Sequence, residues 1–275
     1  MSKLEQLENH LQQLGPVAVA VSGGVDSMTL AVIAHRVNPD SRVYHALSPA
    51  VPEQATARVR DYARRESWNL ELVHAGEIDD PDYVANPANR CYFCKTRLYD
   101  TVADHTDMLV VSGTNTDDLG DYRPGLIAAE EHNVRHPYVE VDIDKDTLRE
   151  MARSLGLNDL SELPAAPCLS SRVTTGIAID ARLLPLINEV EQALWATLDS
   201  RLALKGIRCR IRPEGAAIQL DTDDEIDAGA DYARQAREVA GRILTDGGYG
   251  DLAGSITVEP YARGSAFLID TLPVE

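Results

Sequence analysis

Val17-Ala18-Val19-Ala20-Val21-Ser22-Gly23-Gly24-Val25-Asp26-Ser27 decides the fold class. Five consecutive apolar residues read as a short strand buried on both faces, the kind found in parallel sheets. Two glycines then turn the chain into a helix expected from about residue 27 to 36. Glycines let backbone N–H groups approach an anion closely. The helix start and the Ser22 and Ser27 hydroxyls add donors, so the turn suits a phosphate chain. It has no Walker lysine, and its adjacent glycines are not a dinucleotide fingerprint. The alternative is an ordinary tight strand-to-helix turn.

Upstream, Leu4, Leu7, Leu11 and Leu14 recur at helical spacing until Gly15-Pro16 stops them. Downstream, strands are expected at 43–47, 70–74 and 108–112, and helices at 53–67 and 145–155. Residues 136–139 are expected to lead into a fifth strand. Strands alternating with helices imply an α/β fold, a parallel sheet with right-handed crossovers whose ligands sit at the carboxyl ends of the strands. Residues 1–160 are read as this domain and 161–178 as a cysteine-bearing linker or loop. Residues 179–275 are read as a small α+β domain, with one long helix or two short ones at 180–204, a helix at 224–244 and strands at 207–211, 216–220 and 255–258.

The chain carries 26 Lys and Arg against 44 Asp and Glu, a formal charge of −18. Such a surface repels a phosphate backbone, which argues against a nucleic-acid partner and for a small molecule. No stretch approaches the roughly 20 apolar residues of a membrane span. Met1-Ser2-Lys3-Leu4-Glu5 does not read as a signal peptide, so a cytoplasmic location is expected.

A second loop, Ser112-Gly113-Thr114-Asn115-Thr116-Asp117-Asp118, follows the expected strand at 108–112. Gly113, Thr114, Asn115 and Asp118 offer groups for a ribose, a phosphate or Mg²⁺, whose preference for hard oxygen suits aspartate. Of the four cysteines, Cys91 and Cys94 form a two-thiol motif and Cys168 follows far downstream. Two thiolates cannot close a tetrahedral zinc site, whereas three can hold a labile metal centre with one position open. A redox dithiol at Cys91 and Cys94 is the competing chemistry. Cys209 sits between Arg208 and Arg210 in an expected strand and is read as structural.

The hexapeptide Ser22–Ser27 resembles the signature of the pyrophosphate-loop ATP pyrophosphatases, which include NAD synthetase, the GMP synthetase amidotransferase and several sulfurtransferases. The resemblance implies cleavage of ATP between its α and β phosphates and an adenylated intermediate. It also implies that the loop holds pyrophosphate and Asp26 helps place Mg²⁺.

Asn89-Arg90-Cys91-Tyr92-Phe93-Cys94-Lys95, Asp121-Tyr122-Arg123-Pro124-Gly125 and Ala166-Pro167-Cys168-Leu169-Ser170-Ser171-Arg172 together resemble the LarE family, over roughly residues 15 to 178. That family inserts sulfur into pyridinium-3,5-biscarboxylic acid mononucleotide, the precursor of a nickel-pincer nucleotide cofactor. The resemblance implies that ATP adenylates a substrate carboxylate and that a sulfur nucleophile displaces AMP. In three-cysteine members, the positions matching Cys91, Cys94 and Cys168 hold a [4Fe-4S] cluster; in single-cysteine members, the position matching Cys168 gives up its own sulfur. The cluster type is favoured here.

The resemblance also marks Arg172, Glu191, Arg210 and Arg212 as substrate-binding. It implies a carboxylated heterocycle or nucleotide as substrate, a sulfide or other sulfur donor, and a homo-oligomer. Ala217 and Gln219 depart from the family's arginine and glutamate, and residues 261–267 match its ending only loosely, which leaves the acceptor open. Competing functions are amide formation from the adenylate, transfer-RNA thiolation, and non-catalytic nucleotide or iron–sulfur binding.

Overall fold

The computed structural model of the protein describes residues 1–120, 123–165, 167–198 and 202–262. The chain divides into two compact units. The first takes Met1–Asp80 and Asn89–Ala166; the second takes Pro81–Ala88 and the chain from Pro167 onward.

The first unit runs α1 (Lys3–Leu14), β1 (Ala18–Ala20), α2 (Val25–Val37), β2 (Arg42–Ala46), α3 (Glu53–Glu66) and β3 (Asn69–Val73). After an excursion through α4 (Pro81–Val84), which belongs to the second unit, it resumes with α5 (Arg90–His105) and β4 (Val110–Ser112). It ends with α6 (Pro124–Glu131), α7 (Pro137–Glu140), α8 (Lys145–Ser154) and α9 (Asn158–Ser161). Its strands pair in parallel in the order β3-β2-β1-β4.

The strand period of two explains how the sheet is covered. Val17, Val19 and Val21 join the cluster of Leu7, Leu11, Met28, Leu30 and Leu148, while Ala18 and Ala20 join that of Tyr44, Tyr99, Val102 and Ala128. Helices therefore cover both faces, as the apolar run at 17–21 requires. Ser2 opens α1 with a capping box, its hydroxyl accepting from Glu5 N–H while Glu5 reaches back to Ser2 N–H.

One expectation needs correction. Residues 136–139 do not lead into a strand: pairing shrinks to a single parallel bridge between Val111 and Arg135. Pro137 lacks an N–H for a ladder, and its fixed φ suits the first position of α7. The cysteine motif, read without secondary structure, lies on α5.

The second unit continues through α10 (Leu183–Leu198), β5 (Leu204–Arg212), β6 (Gly215–Thr222), α11 (Asp231–Asp246), α12 (Gly250–Ala253) and β7 (Ile256–Pro260). β5 and β6 pair antiparallel across the Pro213-Glu214 turn, and β7 adds to β6 in parallel. Leu184, Ile187, Val190 and Leu194 of α10 and Ala233, Ala236 and Ala240 of α11 are buried. The segment around α4 is fastened into this unit. Asn86 Nδ2 donates to the carbonyls of Thr174 and Ile177 at 2.9 Å each, and Tyr83 shares a 2.6 Å hydroxyl bond with Ser170. Asp121, Tyr122, Ala166 and residues 263–267 of the motifs quoted above lie outside the described residues.

Candidate functional site

In the first unit, Ser22–Ser27 joins the carboxyl end of β1 to α2. Gly23 adopts φ +84°, and a Cβ there would lie 2.8 Å from the Ala55 Cβ, so this turn admits only glycine. Ser22 N–H donates to Ser27 Oγ at 3.0 Å and Ser27 Oγ donates to the Gly24 carbonyl at 3.3 Å, which closes the turn on itself. Gly24 caps α2, whose first-turn amides have no partner within the helix.

β4 is the neighbour of β1 in the sheet, so the loop that follows it arrives at the same edge. Gly113 lies so near the start of α2 that a Cβ would come within 2.7 Å of Ser27 N. Asn115 Nδ2 donates to Asp26 Oδ1 at 3.2 Å. Ser112 Oγ hydrogen-bonds Thr114 Oγ1 at 3.2 Å and His136 Nδ1 at 2.9 Å. Asp118 accepts from Asn115 N–H at 3.1 Å and pairs with Arg123 at 2.7 Å.

Lys145, absent from the residues expected here, completes the cluster. Its Nζ lies 2.6 and 2.5 Å from the two Asp26 carboxylate oxygens, and its own N–H donates to Asp117 at 3.2 Å. The ammonium thus engages both Asp26 carboxylate oxygens. Asp26, Asp117 and Asp118 are the hard oxygen donors of this loop pair that would suit Mg²⁺. The sequence held one signal for Lys145: a lysine at the first position of a helix opposes the macrodipole and calls for a local partner. At the same sheet edge, a cleft of about 190 Å³ is lined by Leu47, Ser48, Pro49, His74, Gly76 and Glu77.

Cys91 and Cys94 lie three residues apart near the start of α5, on one face of the helix, Cys91 exposed and Cys94 half-buried. Cys168, in the second unit, is exposed and opens a short 3₁₀ turn over Leu169–Arg172. Thiols accessible to solvent are the right donors for an iron–sulfur cluster. Among the described residues, no three His, Cys, Asp or Glu side chains stand together as a metal-holding group. Cys209 is fully buried in β5, and burial pushes its thiol pKa well up, outweighing the Arg172 charge that lowers it, so it is inert.

No protein-family model matches the chain. An uncharacterized protein of Synechocystis is 37% identical over 226 residues, covering 80% of this chain and 81% of that protein. The chain belongs to that protein's family. An uncharacterized protein of Methanocaldococcus jannaschii is 29% identical over 231 residues, covering 81% of the chain and 86% of that protein. The pyridinium-3,5-bisthiocarboxylic acid mononucleotide synthase of Lactiplantibacillus plantarum is 26% identical over 216 residues, 76% of each chain. This last likeness supports placing the family among LarE-type, ATP-using enzymes.

The residues that the LarE resemblance marks for substrate lie in a hydrogen-bonded network of the second unit. Arg172 and Glu191 are buried and bind each other: Nε and NH2 of Arg172 each lie 2.9 Å from a Glu191 oxygen. Burial works against the Arg172 charge, yet the Glu191 bond and charge outweigh it and raise its pKa. Arg172 NH1 also donates to the carbonyls of Pro167 at 2.5 Å and Cys168 at 3.2 Å, and Glu191 accepts the Cys209 N–H at 3.0 Å. The pair thus fastens the backbone that carries the Cys168 thiol. Arg210, also buried, donates to Gln219 at 3.0 Å and to the Ser171 carbonyl at 2.6 Å, while Arg212 forks onto Glu259 at 3.1 and 2.5 Å. Gln219, a departure from the family pattern, bridges the two by donating to Glu259 at 2.8 Å.

Proposed function

We propose that the protein is an ATP-dependent sulfurtransferase that adenylates a substrate carboxylate and then replaces AMP with sulfur. The observation that carries the reading is the meeting of two loops at Asp26, where the glycine turn and helix start face Gly113, Asn115 and Lys145. Such a site binds a polyphosphate through amides, one ammonium and a carboxylate-held cation. The nucleoside end is assigned to the cleft at the ends of β2 and β3, on the carboxyl side of the sheet.

In the first step a carboxylate oxygen attacks the α-phosphorus and the bond to the β-phosphate bridging oxygen breaks, so pyrophosphate leaves with the electron pair. Ser22, Gly23, Gly24 and Ser27 are assigned to the departing pyrophosphate, and Asp26 and Asp118 are the residues that would hold Mg²⁺, which would neutralise the phosphate charge. Thr114 and Asn115 line the opposite side. In the second step a sulfur nucleophile adds to the acyl carbon and AMP leaves, giving a thiocarboxylate.

Cys91, Cys94 and Cys168 are the residues that would hold a [4Fe-4S] cluster. With three thiolate ligands such a cluster leaves one iron open to an external sulfur. A second reading, in which Cys168 donates its own sulfur, is favoured by its exposed thiol on a firmly fastened loop. The substrate is proposed to be a carboxylated heterocycle or nucleotide.

The test is anaerobic purification with iron and acid-labile sulfide analysis, followed by pyrophosphate release from ATP for the parent and D26N. About four iron and four sulfide per chain, with pyrophosphate release lost in D26N, support the reading. An iron-free chain that loses H₂S in mass after turnover assigns the sulfur to Cys168. Retained pyrophosphate release in D26N overturns the role of Asp26.

A further inference from the structure

An anion-binding turn works through its amides, so its carbonyls must be turned away. In a planar trans peptide the C=O and the N–H that follows it point in opposite directions, and holding one aims the other. Two carbonyls of this turn are held from behind. His45 Nδ1 lies 3.0 Å from the Val21 carbonyl, and its Nε2 lies 2.9 Å from Thr56 Oγ1. A carbonyl only accepts, so Nδ1 carries the proton and Nε2 accepts the Thr56 hydroxyl. Arg58 NH1 donates to the Gly23 carbonyl at 2.6 Å.

The two ties have different effects on the amides beyond them. The Ser22 N–H after the first is taken up inside the turn, by Ser27 Oγ at 3.0 Å. The Gly24 N–H after the second makes a long 3.4 Å contact with Ser22 Oγ and lies at the cap of α2, beside the first-turn amides. Gly23, at φ +84°, has the conformational freedom to let this peptide flip, and nothing in its own side chain opposes the rotation.

We propose that Arg58 is a positioning residue for the pyrophosphate moiety of ATP: by holding the Gly23 carbonyl against α3, it aims the Gly24 amide into the phosphate site. The assignment rests on the ATP-pyrophosphatase reading of the same turn. Burial lowers the Arg58 pKa, which is consistent with a guanidinium turned inward toward the loop.

The test compares binding of inorganic pyrophosphate with Mg²⁺, and of adenosine alone, to the full-length parent, R58A and R58K by calorimetry. Loss of a charge-assisted hydrogen bond is expected to weaken pyrophosphate binding by about tenfold to a hundredfold in R58A. Adenosine binding stays within about twofold, because the nucleoside cleft is untouched. R58K, which keeps a charge and a donor, recovers most of the loss. Equal pyrophosphate affinity in R58A and the parent overturns the proposal, as does parallel loss of adenosine binding. A parent chain that binds no pyrophosphate sinks the ATP-pyrophosphatase reading itself. If R58A does not fold, R58Q keeps the side-chain stem and takes its place with the same readouts.

Discussion

Replacing Glu191 with Gln should destabilise the second unit more than any surface change. The Arg172 and Glu191 side chains are only 3% and 8% exposed, and the carboxylate accepts two bonds from Arg172 and one from the Cys209 backbone. Gln keeps one oxygen, but its NH₂ meets a guanidinium that can only donate, so a buried charge is left uncompensated. Removing one partner of such a pair costs about 3–5 kcal/mol. With a urea slope of about 2 kcal/mol per molar, the midpoint should fall by roughly 2 M. The chain has two tryptophans, Trp68 in the first unit and Trp195 on α10, so fluorescence in a W68F background reports on the second unit. The double variant R172M/E191L, with apolar side chains of similar volume, should recover only part of the loss, because the Cys209 N–H and the Pro167 carbonyl then lack these partners at about 1–3 kcal/mol each. It should still loosen the segment that carries Cys168, because the Pro167 carbonyl loses its Arg172 donor. A midpoint in E191Q within about 0.5 M of the parent refutes the reasoning.

G113A places a methyl against the Ser27 and Asp26 backbone, so the second loop must move off α2; a stability loss of about 1–3 kcal/mol and weakened ATP binding are expected, checked by urea melts and ATP titration. His45 and His136 both have pKa values lowered by burial, so each contributes stability that is full above the unfolded value of 6.5 and falls as pH drops below it. Each adds a slope of at most about 1.4 kcal/mol per pH unit. His132, with a raised pKa, has the opposite sign and loses its contribution as pH rises. H45Q should therefore flatten the loss of stability between pH 6.5 and about 5, and an unchanged slope in urea melts would count against the buried neutral imidazole. With a net charge of −18, raising KCl from about 0.1 to 1 M, which shortens the screening length to about 3 Å, should raise the melting temperature. A fall would mean that the exposed ion pairs, such as Arg64–Asp61, outweigh the self-repulsion.

The strand–turn–helix over residues 17–27 was legible because all its determinants are contiguous: a buried strand, two glycines and a helix start in eleven residues. The second loop was legible because it follows another apolar strand, and parallel strands deliver their following loops to one edge. Lys145 was not, because it reaches Asp26 from 119 residues away. Arg58 was hidden for the same reason: on α3 it looks like one more arginine of a solvated face, and only the fold turns it toward Gly23. That Arg172 and Glu191 are buried against each other was not legible, because spacing and charge do not reveal which distant side chains pair. The helix over Arg90–His105 escaped notice because its start is dominated by cysteine and aromatic residues rather than by an apolar stripe.

The stretch Pro81–Ala88 is made well before the rest of the unit it belongs to. On a ribosome adding about 5–20 residues per second, Asn86 waits roughly 5–20 s for Thr174 and Ile177 to be synthesised. During that time the Tyr83 ring and the Asn86 amide have no native surroundings, while β1, β2 and β3 are already available to pair. A gene fragment beginning at Pro167 would encode the sheet and both long helices of the second unit but not the strap that ties its entry loop. Exchange of this unit between relatives therefore has to transplant two separate pieces of chain together.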